Sequence, residues 1–185
     1  MTRLGESDPA QAASPVTSAR SNAITVGGSL PEETLVEVAN QIPMVVIARS
    51  VPALSAQTIP LDEFQGGYLA TQHLIEAGHR RIAHIAGLEA HSDAIQRRRG
   101  YLQALADSGI PPDPNLIIPG DFTETSGILA IEMLLARGQT FSAIFAANDQ
   151  MAYGARLALY RRGIRVPEDI SLIPLPAIGS TALTY

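Results

Sequence analysis

The chain has 185 residues, of which 46% are hydrophobic and 17% are charged, with 15 Gly, 13 Pro and no Cys. This composition excludes disorder over most of the chain, a disulfide framework, thiol catalysis and cysteine-based zinc sites. All 13 basic residues are Arg, which also excludes Schiff-base and P-loop lysines, and the formal net charge of −5 argues against nucleic-acid or membrane binding by the whole surface.

The first 22 residues mix Ser, Ala, Pro and Asp without apolar periodicity, which predicts a disordered leader over residues 1–22. They contain no apolar run of about 7–15 residues behind a basic start, as a secretory signal requires. No apolar stretch approaches the ~20 residues needed to span a bilayer. We therefore expect a cytoplasmic protein without a membrane partner.

From Ala23 onward, short apolar runs alternate with segments whose apolar residues recur at helical spacing. The predicted strands are 23–26, 44–48, 81–86, 116–118, 143–147 and 170–175. The predicted helices are 31–40, 66–77, 93–108, 123–137 and 149–162. This βαβα order favours an α/β fold with doubly wound parallel sheets. Four of the helices precede a glycine that is predicted to close the last turn in the left-handed conformation: Gly78, Gly109, Gly138 and Gly163.

Several helix starts also carry capping signals. Asp121 followed by Glu124 has the spacing of a capping box, with Asp121 as the N-cap. Asn148 stands just before the periodic segment that contains Met151, which predicts a second N-cap. Pro31 fits the first turn of the first helix, where its missing N–H does no harm.

Doubly wound sheets bind ligands at the carboxyl ends of their strands. The loops predicted to lie there are rich in polar side chains, and they occupy residues 62–67, 87–97, 120–125, 148–150 and 174–179. Candidate functional residues are therefore sought in these loops.

The runs at 78–87, 120–127 and 143–173 resemble the effector-binding core of LacI/GalR-type bacterial transcriptional regulators, and 29–52 and 61–74 resemble the same family. The resemblance covers residues 23–173. It implies a periplasmic-binding-protein-like fold of two α/β lobes that hold a small-molecule effector, usually a sugar or a nucleobase-like compound. It also implies a homodimer.

The same resemblance implies a domain plan in which both lobes are incomplete. We expect a partial N-terminal lobe at 23–78, a C-terminal lobe at 79–175 and a tail at 176–185 outside the family pattern, with Pro176 where a ligand-binding Asp is expected. Residues 1–22 resemble neither a helix-turn-helix nor a hinge helix, so we expect operator DNA to be reached only through a helix-turn-helix absent from this chain. These departures suggest a truncated or frame-shifted regulator prone to self-association through open sheet edges.

Five residues are candidate effector contacts. Arg97 begins a run of three Arg, and its fork of donors suits sugar hydroxyls or a carboxylate. The resemblance identifies Arg97 as the effector-contacting arginine, whereas Arg98 and Arg99 fit a solvated helix face. Phe122 either stacks on the effector ring, as the resemblance implies, or forms a hydrophobic staple.

The other candidates have competing structural roles. The amide of Asn148 offers a donor and an acceptor to a polyol, and it also suits helix capping. Asp149 either contacts the effector or stabilises the helix start through the helix dipole. Asp62 either caps the helix that contains Gly66 or lines the effector cleft. Asp62 and Glu63 make a poor catalytic pair, because adjacent side chains diverge.

The sequence contains no motif for metal binding, nucleophilic catalysis or phosphate binding. The spacings of His73, His79, His84 and His91 match no metal motif, and His84 fits a satisfied core residue. Nucleophile elbows and phosphate loops are absent from the sequence. We therefore expect an effector-binding and dimerisation core of a regulator, with no cofactor and no enzymatic activity. A sugar-binding protein of the transport type, which shares the fold, is the alternative.

Overall fold

The structure is a computed structural model that describes residues 23–26, 31–47 and 51–175, the first of these by backbone alone. The predicted leader at 1–22 and tail at 176–185, with Pro176, lie outside the described residues. The chain divides into two compact units between Ile59 and Pro60.

The first unit contains a three-stranded parallel sheet in the order β1-β2-β3. Its strands are β1 (Ala23–Val26), β2 (Met44–Ile47) and β3 (Thr58–Ile59), and helix α1 spans Glu32–Ala39 directly after Pro31. A 3-10 turn at Pro52–Gln57 precedes β3. Neither the turn nor β3 was predicted from the sequence, and β3 has only two residues, too few to show a strand pattern. The core of this unit is formed by Leu35, Met44, Val46, Val51 and Leu54.

The second unit contains a four-stranded parallel sheet in the order β5-β4-β6-β7. The strands are β4 (Ile82–Ala86), β5 (Ile117–Pro119), β6 (Ala143–Ala146) and β7 (Ser171–Pro174). The helices are α2 (Glu63–Glu76), α3 (Ser92–Asp107), α4 (Glu124–Ala136) and α5 (Asp149–Arg161). The predicted α/β fold with doubly wound parallel sheets is confirmed.

Helices cover both faces of the four-stranded sheet. Side chains alternate along each strand, so Ile85 and Ile144 point into a core shared with α4 and α5. Ile82 and Phe145 point into a second core shared with α2 and α3. Every residue of β4 and β6 is buried, as expected for central parallel strands.

Within each helix pair, glycines allow the two backbones to touch. An added Cβ at Gly67 of α2 would overlap the backbone of Arg97 in α3, and one at Gly127 of α4 would overlap the backbone of Met151 in α5. Gly100 and Gly154 make the reciprocal contacts from α3 and α5. These two helix pairs bring the starts of their helices close together at one edge of the sheet.

Most predicted elements hold, and three further differences stand beside the unpredicted turn and β3. Helix α2 begins at Glu63 and not at Gly66, because the side chain of Asp62 caps it by accepting a hydrogen bond from the N–H of Gln65 at 2.8 Å. The N-cap of α4 is Thr123, which accepts from the N–H of Ser126, and Asp121 lies two residues before this cap. The compact units divide before α2 and not near Gly78, because α2 packs on α3.

Candidate functional site

The candidate site lies at the carboxyl edge of the four-stranded sheet, where β4 and β6 run into loops. All five predicted site residues belong to the second unit, and three of them meet at this edge through contacts described below: Arg97, Phe122 and Asn148. Asp62 caps the start of α2. Asp149 follows Asn148 as the first residue of α5.

Arg97 is the centre of the site. Its residue is only 9% exposed, although it stands in a run of three arginines. Its Nε donates to a carboxylate oxygen of Glu63 at 2.7 Å, and its Nη1 donates to the carbonyl oxygen of Ala147, just beyond β6, at 2.5 Å. Arg97 therefore carries a positive charge directly to a strand end. Arg98, by contrast, is paired with Glu89 on the surface, in keeping with its predicted solvated role.

Glu63 is the site residue that the sequence analysis missed. Its side chain is 10% exposed, as is that of Arg97, so the ion pair is nearly dry. One carboxylate oxygen bonds Arg97, whereas the other, Oε1, is buried without a hydrogen-bond partner. No local pattern marks Glu63, because its partner lies 34 residues away along the chain.

Asn148 joins two loops of the site. Its Oδ1 accepts from the N–H of Met151 at 3.0 Å, which confirms the predicted N-cap of α5. Its Nδ2 donates to the carbonyl oxygen of Phe122 at 2.9 Å. A side-chain amide has two donor hydrogens and two acceptor lone pairs, so one of each is still available to a ligand.

Phe122 has a backbone conformation that bulky residues rarely adopt, with φ at +67°. Asn148 holds its carbonyl oxygen, and the Asp121 carboxylate holds the next residue by accepting from the N–H of Thr123 at 3.0 Å. The ring covers Gly87, where any added Cβ would overlap it, and lies 5.6 Å from the ring of His91. The half-buried ring also packs on the core that α4 and α5 share with the sheet.

The two aspartates occupy helix starts. Asp62 is exposed and caps α2, which is the structural alternative of its prediction. Asp149 lies in the first turn of α5, where its negative charge interacts favourably with the positive end of the helix dipole.

A buried histidine lies beneath the site in β4. The ring of His84 is fully buried between Tyr101 and Phe145, at centroid distances of 4.9 and 4.7 Å. Its Nδ1 lies 3.0 Å from the carbonyl oxygen of Phe145 and therefore carries the proton, whereas Nε2 is buried without a partner. His84 was predicted to be a core residue with its hydrogen bonds satisfied, and this is true of only one of its two ring nitrogens. Burial lowers the pKa of His84 to about 4, so the ring is neutral at pH 7.

The groups gathered at this edge suit recognition of a small molecule. They are a guanidinium, an amide, carboxylates and an aromatic ring on a rigid sheet edge, the combination that fixes a polar ligand by hydrogen bonds and stacking. Among the described residues, no group of three His, Asp or Glu side chains could hold a metal ion. In the same part of the chain, no helix has the length and apolarity needed to cross a membrane.

Comparison with known proteins identifies the family. Residues 3–182 match the family model described as periplasmic binding proteins and sugar binding domain of LacI family. This range includes most of the stretches that the sequence analysis set apart as leader and tail.

Two curated relatives are transcriptional regulators. The HTH-type transcriptional regulator GalR of Salmonella typhimurium is 43% identical over 145 residues, which are 78% of this chain and 42% of GalR. The HTH-type transcriptional repressor CytR of Escherichia coli is 37% identical over 159 residues, which are 85% of this chain and 47% of CytR. The chain thus spans less than half of either relative.

A solved structure agrees with these matches. It is a sugar-binding transcriptional regulator of the LacI family from Escherichia coli, complexed with phosphate, with a TM-score of 0.69 and 36% identity over 83% of this chain and 56% of that one. On the family match, the sequence identities and the shared fold, the chain belongs to the LacI family and corresponds to its effector-binding region.

Proposed function

We propose that the chain binds a sugar or a similar small-molecule effector at the carboxyl edge of its four-stranded sheet, as part of a transcriptional regulator. The observation that carries this proposal is the joining of Arg97, Asn148 and Phe122 around one strand end, through Ala147 and the carbonyl of Phe122. Three chemically different groups meet there: Arg97 comes from helix α3, Phe122 from the loop between β5 and α4, and Asn148 from the start of α5.

The roles of the site residues follow from their geometry. Arg97 and Asn148 supply hydrogen bonds to hydroxyl groups, and Phe122 offers an aromatic face to the ring of the effector. Asp62 caps α2 and Asp149 lies in the first turn of α5, and their carboxylates are the remaining proposed effector contacts. None of these groups is arranged as a nucleophile with a base, so we propose binding without catalysis and without a cofactor.

The proposed partners are a small-molecule effector and a second copy of the chain, with operator DNA reached through a helix-turn-helix and not through the sheet edge. The proposed location is the cytoplasm, where such a regulator meets DNA. The transport-type alternative is not favoured, because both curated relatives named above are transcriptional regulators.

A thermal melt of the 185-residue chain tests the proposal. The chain is melted alone and with pentoses, hexoses, disaccharides and nucleosides. A ligand that binds only the folded state stabilises it by about 2.7 kcal/mol at one hundred times its dissociation constant, so one ligand class raises the melting temperature by several degrees. A cooperative melt that no ligand moves would overturn the proposal.

A pair of phenylalanine variants separates binding from folding. Phe122→Ala removes the aromatic face and is expected to weaken the ligand at least about tenfold. Phe141→Ala removes a half-buried ring that packs on the same core just before β6, at the opposite edge of the sheet. This control lowers the melting temperature but keeps the ligand-induced rise. Equal loss of the rise in both variants would contradict a site at Phe122.

A further inference from the structure

The carboxyl edge of the sheet is by its construction attractive to anions. In a parallel α/β sheet each helix that follows a strand starts at the carboxyl edge, so the positive ends of the helix dipoles meet there. Helices α3, α4 and α5 start after β4, β5 and β6, and α2 starts after β3 and packs beside α3. Without compensation, such an edge would favour phosphate or carboxylate ligands.

The chain compensates each helix start with its own carboxylate. The acidic residue in the first turn is Glu63 in α2, Asp93 in α3, Glu124 in α4 and Asp149 in α5. Asp62 adds a charge as the cap of α2, and Asp121 adds one beside Phe122. These carboxylates therefore offset the positive ends of the helix dipoles, which do not require a negatively charged ligand.

The guanidinium of Arg97 is compensated in the same way, but in the interior. Its Nε is bound to Glu63 at 2.7 Å, and both side chains are nine-tenths buried, so little water screens the pair. A negatively charged ligand near Arg97 would meet the Glu63 carboxylate at close range, including its unpartnered Oε1. A hydroxyl group meets no such repulsion, and it can donate to an acceptor as well as accept from Arg97.

We infer that Glu63 sets the charge selectivity of this site, so that it binds uncharged polyhydroxylated ligands and rejects phosphorylated or carboxylated ones. The inference rests on the proposed function for the location of the site. Glu63 acts through Arg97, as a residue that positions and neutralises the guanidinium. The rejection of anions is a repulsive element, which is a common source of specificity.

The test compares matched neutral and anionic ligands by isothermal titration calorimetry. The probes are glucose with glucose 6-phosphate, galactose with galacturonate, and inorganic phosphate alone. The proteins are the wild-type chain, Glu63→Gln and Glu89→Gln. Glu89→Gln removes the same charge from an exposed pair with Arg98, at 3.3 Å, and so controls for net charge.

In the wild-type chain we expect the neutral member of a binding pair to bind at least about tenfold more tightly than its anionic counterpart. Glu63→Gln keeps a hydrogen-bond acceptor for Arg97, lowers this ratio about tenfold and gains binding of inorganic phosphate. Glu89→Gln keeps the wild-type ratio. A structural role for Glu63 alone would weaken both members equally and leave the ratio unchanged.

Three results would overturn the inference: equal binding of both members by the wild-type chain, an unchanged ratio with no phosphate binding in Glu63→Gln, or equal gains in both variants. If Glu63→Gln does not fold, the titrations of the wild-type chain decide the inference. In that case, phosphate-induced NMR shifts at the amides of Ala147 and Asn148 in the wild-type chain would overturn the inference. If the wild-type chain binds neither sugar and no ligand of the melting panel stabilises it, the proposed function fails, whereas the phosphate titrations still decide the role of Glu63.

Discussion

The two helix pairs of the second unit both pack through glycines, but they bury different kinds of side chain. In one pair Gly67 of α2 lies against the backbone of Arg97, and in the other Gly127 of α4 lies against the backbone of Met151. The side chain of Arg97 carries a charge to the strand end, whereas that of Met151 is fully buried in the apolar core. The same kind of backbone contact thus places a charged side chain at the strand end in one pair and an apolar side chain in the core in the other.

The difference extends to where each pair keeps its polar groups. The α2/α3 pair holds the buried ion pair and covers the half-satisfied His84. The polar contacts of the α4/α5 pair include the helix caps at Thr123 and Asn148 and an ion pair between Glu132 and Arg162 that is open to solvent. Polar groups in the interior respond to pH and to the loss of a partner, whereas caps contribute a roughly constant increment.

The largest expected effect tests the shared packing device. Gly100→Ala and Gly154→Ala each place a Cβ on a backbone carbonyl, that of Phe64 or of Glu124, and should each lower the free energy of unfolding by about 3 kcal/mol. Urea denaturation measures both. Gly66→Ala is the control, because its Cβ would meet only the flexible side chain of Leu175. A large loss of unfolding free energy in one of these two variants and none in the other would show that the two helix pairs do not depend equally on their glycine contacts.

The next effect is confined to the α2/α3 face. The folded pKa of His84, about 4, lies below the unfolded value of 6.5, so the unfolded chain binds more protons between these values. Stability is therefore lost as the pH falls, by roughly 2 kcal/mol between pH 7 and pH 5. His84→Phe should remove this dependence in urea denaturation at the two pH values. The exposed His73→Gln should retain it, and an identical pH slope in wild type and His84→Phe would contradict the assignment.

On the α4/α5 side, Asn148→Ala loses both the cap of α5 and the bond to the carbonyl of Phe122. The free energy of unfolding should fall by about 1.5 kcal/mol. Asn148→Asp keeps the capping oxygen but turns a second carboxylate oxygen toward the carbonyl oxygen of Phe122, so it should recover only part of that stability while the affinity for a ligand stays low. A stability of Asn148→Ala equal to that of the wild-type chain would show that these two hydrogen bonds contribute little.

The smallest effect should be the same in both pairs. Thr123→Ala in α4 and Asp62→Ala in α2 each remove one side-chain cap, and each should cost about 1 kcal/mol. Chemical denaturation of the two variants at pH 7 checks this equality. A cost at Asp62 well above that at Thr123 would show that Asp62 also supports the neighbouring ion pair.

The fold was largely predictable because its signals are local. Apolar runs such as the one at β6 marked the buried strands, and glycines such as Gly109 marked the helix ends, with φ at +66° as expected. Asn148 was predictable as a cap from its neighbours. The start of α2 was not, because Glu63, Phe64 and Gln65 carry no periodic signal before the helix is packed.

Residues of the candidate site were proposed from the sequence, whereas the contacts among them were not. Arg97, Phe122 and Asn148 were singled out, yet the sequence gives no sign that Arg97 is buried beside two exposed-looking arginines. Its partner Glu63 lies on another helix, and the strained φ of Phe122 depends on Asn148, 26 residues away. Such contacts are set by tertiary packing, which no window of sequence reports.

The four glycines that end α2 to α5 all have positive φ, between 64° and 96°, and all lie at the edge of the sheet opposite the site. The turns that return the chain to the next strand are thus physically separate from the loops that face a ligand. Loops at the ligand edge can be exchanged during evolution, or in the laboratory, without altering the turns that close the fold. This architecture makes the second unit a scaffold on which new effector preferences can be built by replacing one set of loops.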